Sequence, residues 1–320
     1  MKKHFLYFTL LTILFSTAGI AQNKKSTDSK KNETEADKKD PWKKETFNGL
    51  NFRCIGTAKT SGRVVDFAVN PNNSNEYYVA AASGGVWKTS NHGITYTPVF
   101  ENEGSYSIGC VTIDPNNTNV VWVGSGENNN QRSVAYGDGV YKSEDGGMSW
   151  KNVGLKNSEH IGMFAIDPKN SDIVYVAAYG PLWSAGGDRG IYKTTDGGKT
   201  WKNVLSVSEN TGFNEIHMDP RNSNVLYATS HQRRRQVYTY ISGGPESNLY
   251  KSVDGGVTWD TLKKGLPEVD KGRIRLAISP ANPDYIYAII EASDKKGGVF
   301  RSTNRGASWD KMSDNVTAGN

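Results

Sequence analysis

The chain has 320 residues, with 34 glycines, 11% aromatic residues and only two cysteines. Two cysteines exclude a disulfide framework and a four-thiolate zinc centre, and 22% charged residues spread along the sequence exclude a multispanning membrane protein. The formal net charge of +5 is unevenly placed: residues 1–45 hold ten lysines and six acids, leaving 28 basic and 27 acidic side chains for residues 46–320. A body so close to neutral lacks the basic footprint that nucleic-acid binding needs.

Lys2, Lys3 and His4 precede an apolar run from Phe5 to Phe15, followed by small residues up to Gly19-Ile20-Ala21. This pattern predicts a signal peptide over residues 1–21, hence a protein that is periplasmic, cell-surface or secreted in a bacterium. The run is short for a permanent membrane helix. Residues 22–48 alternate lysine with acids and contain almost nothing apolar, which predicts a disordered spacer. Cys54 and Cys110 could pair in an oxidising compartment, although two separate buried small side chains account for them as well.

Five copies of one motif follow: Thr89 to Tyr96, Ser143 to Trp150, Thr194 to Trp201, Ser252 to Trp259 and Ser302 to Trp309. The shared glycines Gly93, Gly147, Gly198, Gly256 and Gly306 are 54, 51, 58 and 50 residues apart. A second motif runs in step, Asn70-Pro71, Asp114-Pro115, Asp167-Pro168, Asp219-Pro220 and Ser279-Pro280, each before an apolar stretch. Each unit reads as four short strands, the first ending at the Pro turn and the third ending at the glycine motif. Four-stranded units of about 50 residues predict an all-β propeller. The blades would span approximately 61–100, 105–153, 158–205, 212–263 and 271–313 within a domain of residues 49–313. Residues 314–320 read as the start of a further connection, as if the five repeats belonged to a larger propeller. Asn91, Asp145, Asp196, Asp254 and Asn304 have turn chemistry and are expected to be structural. Trp150, Trp201, Trp259 and Trp309 are expected between sheets.

The Ser/Thr-x-Asp-x-Gly-x-Ser/Thr-Trp units are similar to the Asp-box, or bacterial neuraminidase, repeat. Over about residues 50–313 the chain resembles the N-terminal propeller of sortilin and Vps10 receptors and exported bacterial proteins labelled glycosyl hydrolases. The resemblance implies a fold more than a function, since Asp-boxes occur in sialidases, xyloglucanases, photosystem assembly factors and sorting receptors. Xyloglucanases carry a catalytic aspartate shortly before a Gly-Gly-x-aromatic strand in their first blade, and Ala82 stands at that position here. Glycoside hydrolysis ordinarily needs two carboxylates. The sialidase arginine triad and tyrosine nucleophile have no clear counterparts.

In a propeller the second-to-third strand loops share one face with the blade-to-blade connections, and unequal loops are where function tends to sit. Candidate ligand-binding residues there are Asn128, Asn129, Asn130 and Arg132 in the second blade, then Trp183 and Arg189 in the third. The fourth adds Arg233, Arg234, Arg235 and Tyr238, where a solvated basic turn is the plainer alternative. Arg63, His160 and Arg273 begin first strands and are expected at the channel rim. Glu127, Asp188, Glu215 and Glu159 are the acids available on that face, with no pair singled out. His92, His160, His217 and His231 are too scattered to suggest a zinc site, and no cofactor motif is present. The expectation is an exported binding or interaction module for protein, peptide or glycan, without a catalytic centre. The alternative is a glycoside hydrolase of sialidase or xyloglucanase type acting from the loop face.

Overall fold

The computed structural model describes residues 62–129 and 134–313. The leader, the spacer, Cys54, Asn130, Arg132 and residues 314–320 lie outside the described residues. Five four-stranded antiparallel units follow one another. Blade 1 is β1 (Val64–Val69), β2 (Tyr77–Ala81), β3 (Gly85–Thr89) and β4 (Thr97–Pro98). Blade 2 is β5 (Ile108–Ile113), β6 (Val121–Ser125), β7 (Val140–Ser143) and β8 (Lys151–Gly154). Blade 3 is β9 (Ile161–Asp167), β10 (Asn170–Ala178), β11 (Gly190–Thr194) and β12 (Lys202–Leu205). Blade 4 is β13 (Thr211–Asp219), β14 (Asn222–Arg235), β16 (Leu249–Ser252) and β17 (Asp260–Leu262), with β15 (Tyr240–Ser242) added to the far end of β14. Blade 5 is β18 (Lys271–Ile278), β19 (Ile286–Ala292), β20 (Gly298–Ser302) and β21 (Asp310–Ser313).

The first strands line the inside, packing in sequence β1 on β5, β5 on β9, β9 on β13 and β13 on β18. No comparable packing joins β18 to β1 among the described residues. Four apolar clusters fill the four junctions between successive blades. A strand with neighbours on both faces is buried along its length, as β6 is at every position, its one polar side chain, Ser125, bonding the Gly139 carbonyl. Strand β19 instead alternates, burying Ile286, Ala288 and Ile290 while exposing Tyr287 and Ile289. In β1, Phe67 is likewise exposed.

The Pro turns are held by their acidic or amide residue, which accepts a backbone N–H two residues on. Asn72 donates to Asn70 at 2.9 Å, Asn116 to Asp114 at 2.8 Å, Lys169 to Asp167 at 2.9 Å and Arg221 to Asp219 at 2.9 Å. The glycine motif closes on itself in the same way. Ser143 and Ser149 hydroxyls and the Ser149 N–H all donate to the Asp145 carboxylate, and Gly147, at φ 88°, donates to Ser143 Oγ at 2.8 Å. The turns of blades 2 to 5 then lock neighbouring blades. Tyr78 Oη and Lys88 Nζ donate to the Gly146 carbonyl of the next blade at 2.8 and 3.2 Å. Tyr175 and Lys193 do the same to Gly255 at 2.8 and 2.9 Å, and Tyr227 and Lys251 to Arg305 at 3.0 and 2.7 Å. In blade 2 Trp122 replaces the tyrosine, so only Lys142 reaches Gly197, at 3.3 Å. Trp150 and Trp201 donate their indole N–H to Val99 and Val153 of the preceding blade, which places these aromatics between sheets.

Candidate functional site

The face opposite the glycine turns is built from irregular pieces. Its largest departure from the repeat is β14, which runs 14 residues instead of ending at the blade and returns through β15. The expectation of a loop from His231 to Arg235 is therefore corrected: these residues extend a strand, alternating buried and half-buried. Arg233 is fully buried. Its guanidinium lies 3.4 Å from the centre of the Tyr179 ring, and Nη1 donates to the Asn129 carbonyl at 2.6 Å. Tyr179 is hydrogen-bonded through its hydroxyl to His231 Nδ1. Arg234 reaches Asn210, Arg235 stacks on Tyr240 at 4.3 Å, and Tyr238 is exposed.

Arg189 is corrected too. It is buried and gives its donors to the carbonyls of Gly186, Tyr179, Pro181 and Ser184, so it braces the 179–189 connection instead of facing a ligand. On that connection Trp183 is 48% exposed, a platform open to solvent. Asp188 accepts the Asn157 N–H at 3.0 Å.

The second-blade connection folds onto the inner strands. Glu127 is 2% exposed and pairs with Arg63 of blade 1, while its own N–H donates to Ser107 Oγ at 3.0 Å. Asn128 spans the inner strands: Nδ2 donates to Gly109 and Gly162 carbonyls at 3.2 and 3.3 Å, and Oδ1 accepts from Arg273 Nη2 at 3.1 Å. The strands approach closely enough there that a side chain at Gly109 would collide with the Ile161 carbonyl, 2.1 Å from where its Cβ would sit. Asn128 and Arg273 thus meet over the inner strands, Arg63 pairs with Glu127 beside them, and His160 is buried.

Two carboxylates line the same register of the inner strands, five residues before the Pro of each turn. Asp66 Oδ2 accepts the Val111 N–H at 3.0 Å and Glu215 Oε2 accepts the Leu276 N–H at 2.7 Å, each stitching its strand to the next blade. Arg275 Nη1 lies 3.8 Å from Glu215 Oε1, and its charge also acts on Asp66. Burial raises the Asp66 carboxyl above its ordinary value despite that cation and two backbone donors. His217 lies 3.1 Å from Glu215. Sequence reasoning missed Asp66 and Arg275. Counting back from each Pro would have found them, since Asp66, Cys110, Met163, Glu215 and Arg275 occupy one position of the repeat.

Burial also depresses the buried histidines, with Arg233 adding to the effect. His160 is held well below its ordinary range and His231 is lowered to about 3, so both are neutral at neutral pH. Cys110 is a buried free thiol whose sulfur lies 3.8 Å from the Ile161 carbonyl. Among the described residues no three His, Cys, Asp or Glu side chains come together as metal ligands, and no helix is long and apolar enough to cross a membrane.

Five blades closed by glycine turns and joined through inner strands define a β-propeller of Asp-box type. The profile of the Sortilin-Vps10 family (Sortilin, neurotensin receptor 3) matches residues 138–264 and 190–319, and the chain belongs to that family. It is also similar to glycoside hydrolases. A xyloglucanase of Paenibacillus sp is 24% identical over 71% of this chain and 23% of its own length, and one of Hypocrea jecorina is 26% identical over 68% and 27%. The chain thus spans about a quarter of the length of these curated relatives. Among solved structures, the GH74 xyloglucanase from Xanthomonas campestris superposes with a TM-score of 0.59 at 18% identity, covering 78% of this chain and 38% of that one. The GH74 enzyme of Niastella koreensis gives 0.57 at 20% identity, covering 77% and 37%. At such identities the structures speak for the propeller fold. The curated relatives overturn the expectation of a binding module without a catalytic centre and favour the glycoside hydrolase alternative.

Proposed function

We propose that this protein is an exported glycoside hydrolase acting on a xyloglucan-type β-glucan from the channel face of its propeller. The observation that carries the reading is the agreement of six curated relatives, all named as xyloglucanases, 21–28% identical over 52–71% of the chain. Glycan cleavage calls for an acid that still holds its proton and a second, ionised carboxylate. Asp66 suits the first role, because burial favours its protonated form. Glu215, beside Arg275, suits the second. Asp66, which faces Ala80 across the β1–β2 hairpin, takes up on the inner strand the work for which Ala82 lacks a carboxylate. The half-exposed Trp183 offers a ring face for sugar stacking. The leader pattern of residues 1–21 supports export.

Incubation of the full chain with soluble xyloglucan, followed by reducing-end titration and product sizing, tests the reading. Shortened glucan chains are expected. Intact polymer, with no retardation of the protein in a xyloglucan-containing native gel, would overturn it.

A further inference from the structure

The most unusual group in the molecule is Arg233. It has no exposed surface, yet Nε and Nη2 have no hydrogen-bond partner; only Nη1 is bonded, to a neutral carbonyl. A guanidinium presents its donors as a planar fork, and leaving two of them unmet in a low-dielectric setting is costly. Its surroundings deepen the imbalance. The charges of Arg273 and Arg189 act against it, and the groups acting the other way are Tyr179 and the half-buried Glu159. Burial, first of all, lowers the Arg233 guanidinium to about 9, so it remains charged at neutral pH. The neighbouring His160 is also buried, with Nδ1 unpartnered, and Arg273 leaves Nε unpartnered while Nη2 holds Asn128.

Unmet polar atoms on Arg233, His160 and Arg273 thus gather where the inner strands of blades 3 and 5 meet the extended β14. Glu127 and Glu215 already have cationic partners in Arg63 and Arg275. Arg189 gives four of its five donors to carbonyls. On the glycine-turn face the motif aspartates are satisfied by hydroxyls and backbone N–H groups, and Arg305, which leaves Nε unmet there, is partly exposed and pairs with Asp219.

We infer that the Arg233–Arg273–His160 cluster is a binding site for a small oxyanion, of carboxylate, sulfate or phosphate type. The planar fork of Arg233 takes two oxygens side by side, the geometry by which guanidiniums bind such groups. Tyr179 holds the plane of the fork by stacking, with its own hydroxyl fixed on His231. Approach is from the side of Arg273 and Glu159, which are partly exposed. The anion arrives either free in solution or as the carboxylate of an acidic sugar. The site is independent of glucan cleavage, and its test uses no glucan.

The probes are sodium phosphate, sodium sulfate and sodium glucuronate, titrated into the full chain at constant ionic strength with chloride as reference. Calorimetry and thermal melting are both read. Saturable binding of at least one of them is expected, with a melting temperature that rises to a plateau. Binding of phosphate or sulfate marks the free-anion source, and binding of glucuronate alone marks the acidic sugar. General salting effects also raise melting temperatures, so Arg273→Gln is the control. It removes one partly exposed donor and is expected to weaken binding about ten-fold. Arg233→Met is expected to abolish binding; should it fail to fold, Arg273→Gln decides alone. Equal melting temperatures in all four salts, or unchanged affinity in Arg273→Gln, would overturn the assignment and leave water as the occupant.

Discussion

The two faces of this propeller obey different rules. On the glycine-turn face, each Asp or Asn side chain is met within its own turn, and the turns of blades 2, 4 and 5 are gripped by the preceding blade through a tyrosine and a lysine, that of blade 3 through Lys142. On the channel face, charges are buried against one another, one strand doubles in length, and several donors are unmet. A face that repeats is made by selection for folding, since the same contact solves the same junction each time. A face that breaks the repeat while retaining buried, incompletely paired charge carries a cost that function accounts for.

The largest effect is expected where the repeat itself falters. Trp122 is fully buried among Phe164, Trp201 and Lys142 and fills the junction of blades 2 and 3. Trp122→Ala should cost about 3–5 kcal/mol in urea unfolding; a loss below about 1 kcal/mol would show that the junction does not depend on it.

Next comes acid. His160 and His231 have folded pKa values below their unfolded ones, so their contribution is complete above about pH 6.5 and is lost as pH falls below it. Each should add a slope of up to about 1.4 kcal/mol per pH unit between roughly pH 6.5 and 5. The His231→Phe variant should show a shallower slope. The Asp-box carboxylates behave differently. Hydrogen bonds from Ser149 and Ser143 lower Asp145 to about 2, and those from Thr200 and Thr258 lower Asp196 and Asp254 further. Their contribution is complete above about pH 3.8 and is lost only as pH falls toward those values. Hydrogen exchange at pH 5.5 should accordingly open the channel face while the glycine turns stay protected; uniform opening would erase the contrast.

The smallest effect concerns one interblade bond. Tyr175→Phe removes only the donor to Gly255, keeps the buried ring and leaves Lys193 on the same carbonyl, so about 1 kcal/mol is expected. A similar value for Tyr227→Phe would show that equivalent junctions are energetically equivalent.

This division also explains what could be read from the residues. Blade boundaries were legible because Asp-Pro turns and glycine motifs use local chemistry: Asp114 and Asp145 bond groups within four residues of themselves. Strand β14 was not legible. Its polar run His231–Arg235 looks like a loop, since nothing local reveals that Tyr179 and Asn129, 54 and 104 residues from Arg233, will cover it. Arg189 failed for the same reason, its four acceptors being backbone carbonyls that have no side-chain signature. Asp66 was hidden by ordinary strand patterning, although the repeat register contained it.

The central claim is that hydrolysis belongs to the inner-strand carboxylates and not to the conspicuous aspartates of the repeat. The direct measurement is kcat/KM on xyloglucan for the wild type, Asp66→Asn and Asp145→Asn, at a temperature where all three are folded by circular dichroism. The account predicts a loss of about 100-fold or more for Asp66→Asn, chiefly in kcat, and near wild-type turnover for Asp145→Asn. Full activity in folded Asp66→Asn, or equal losses in both variants, would contradict it.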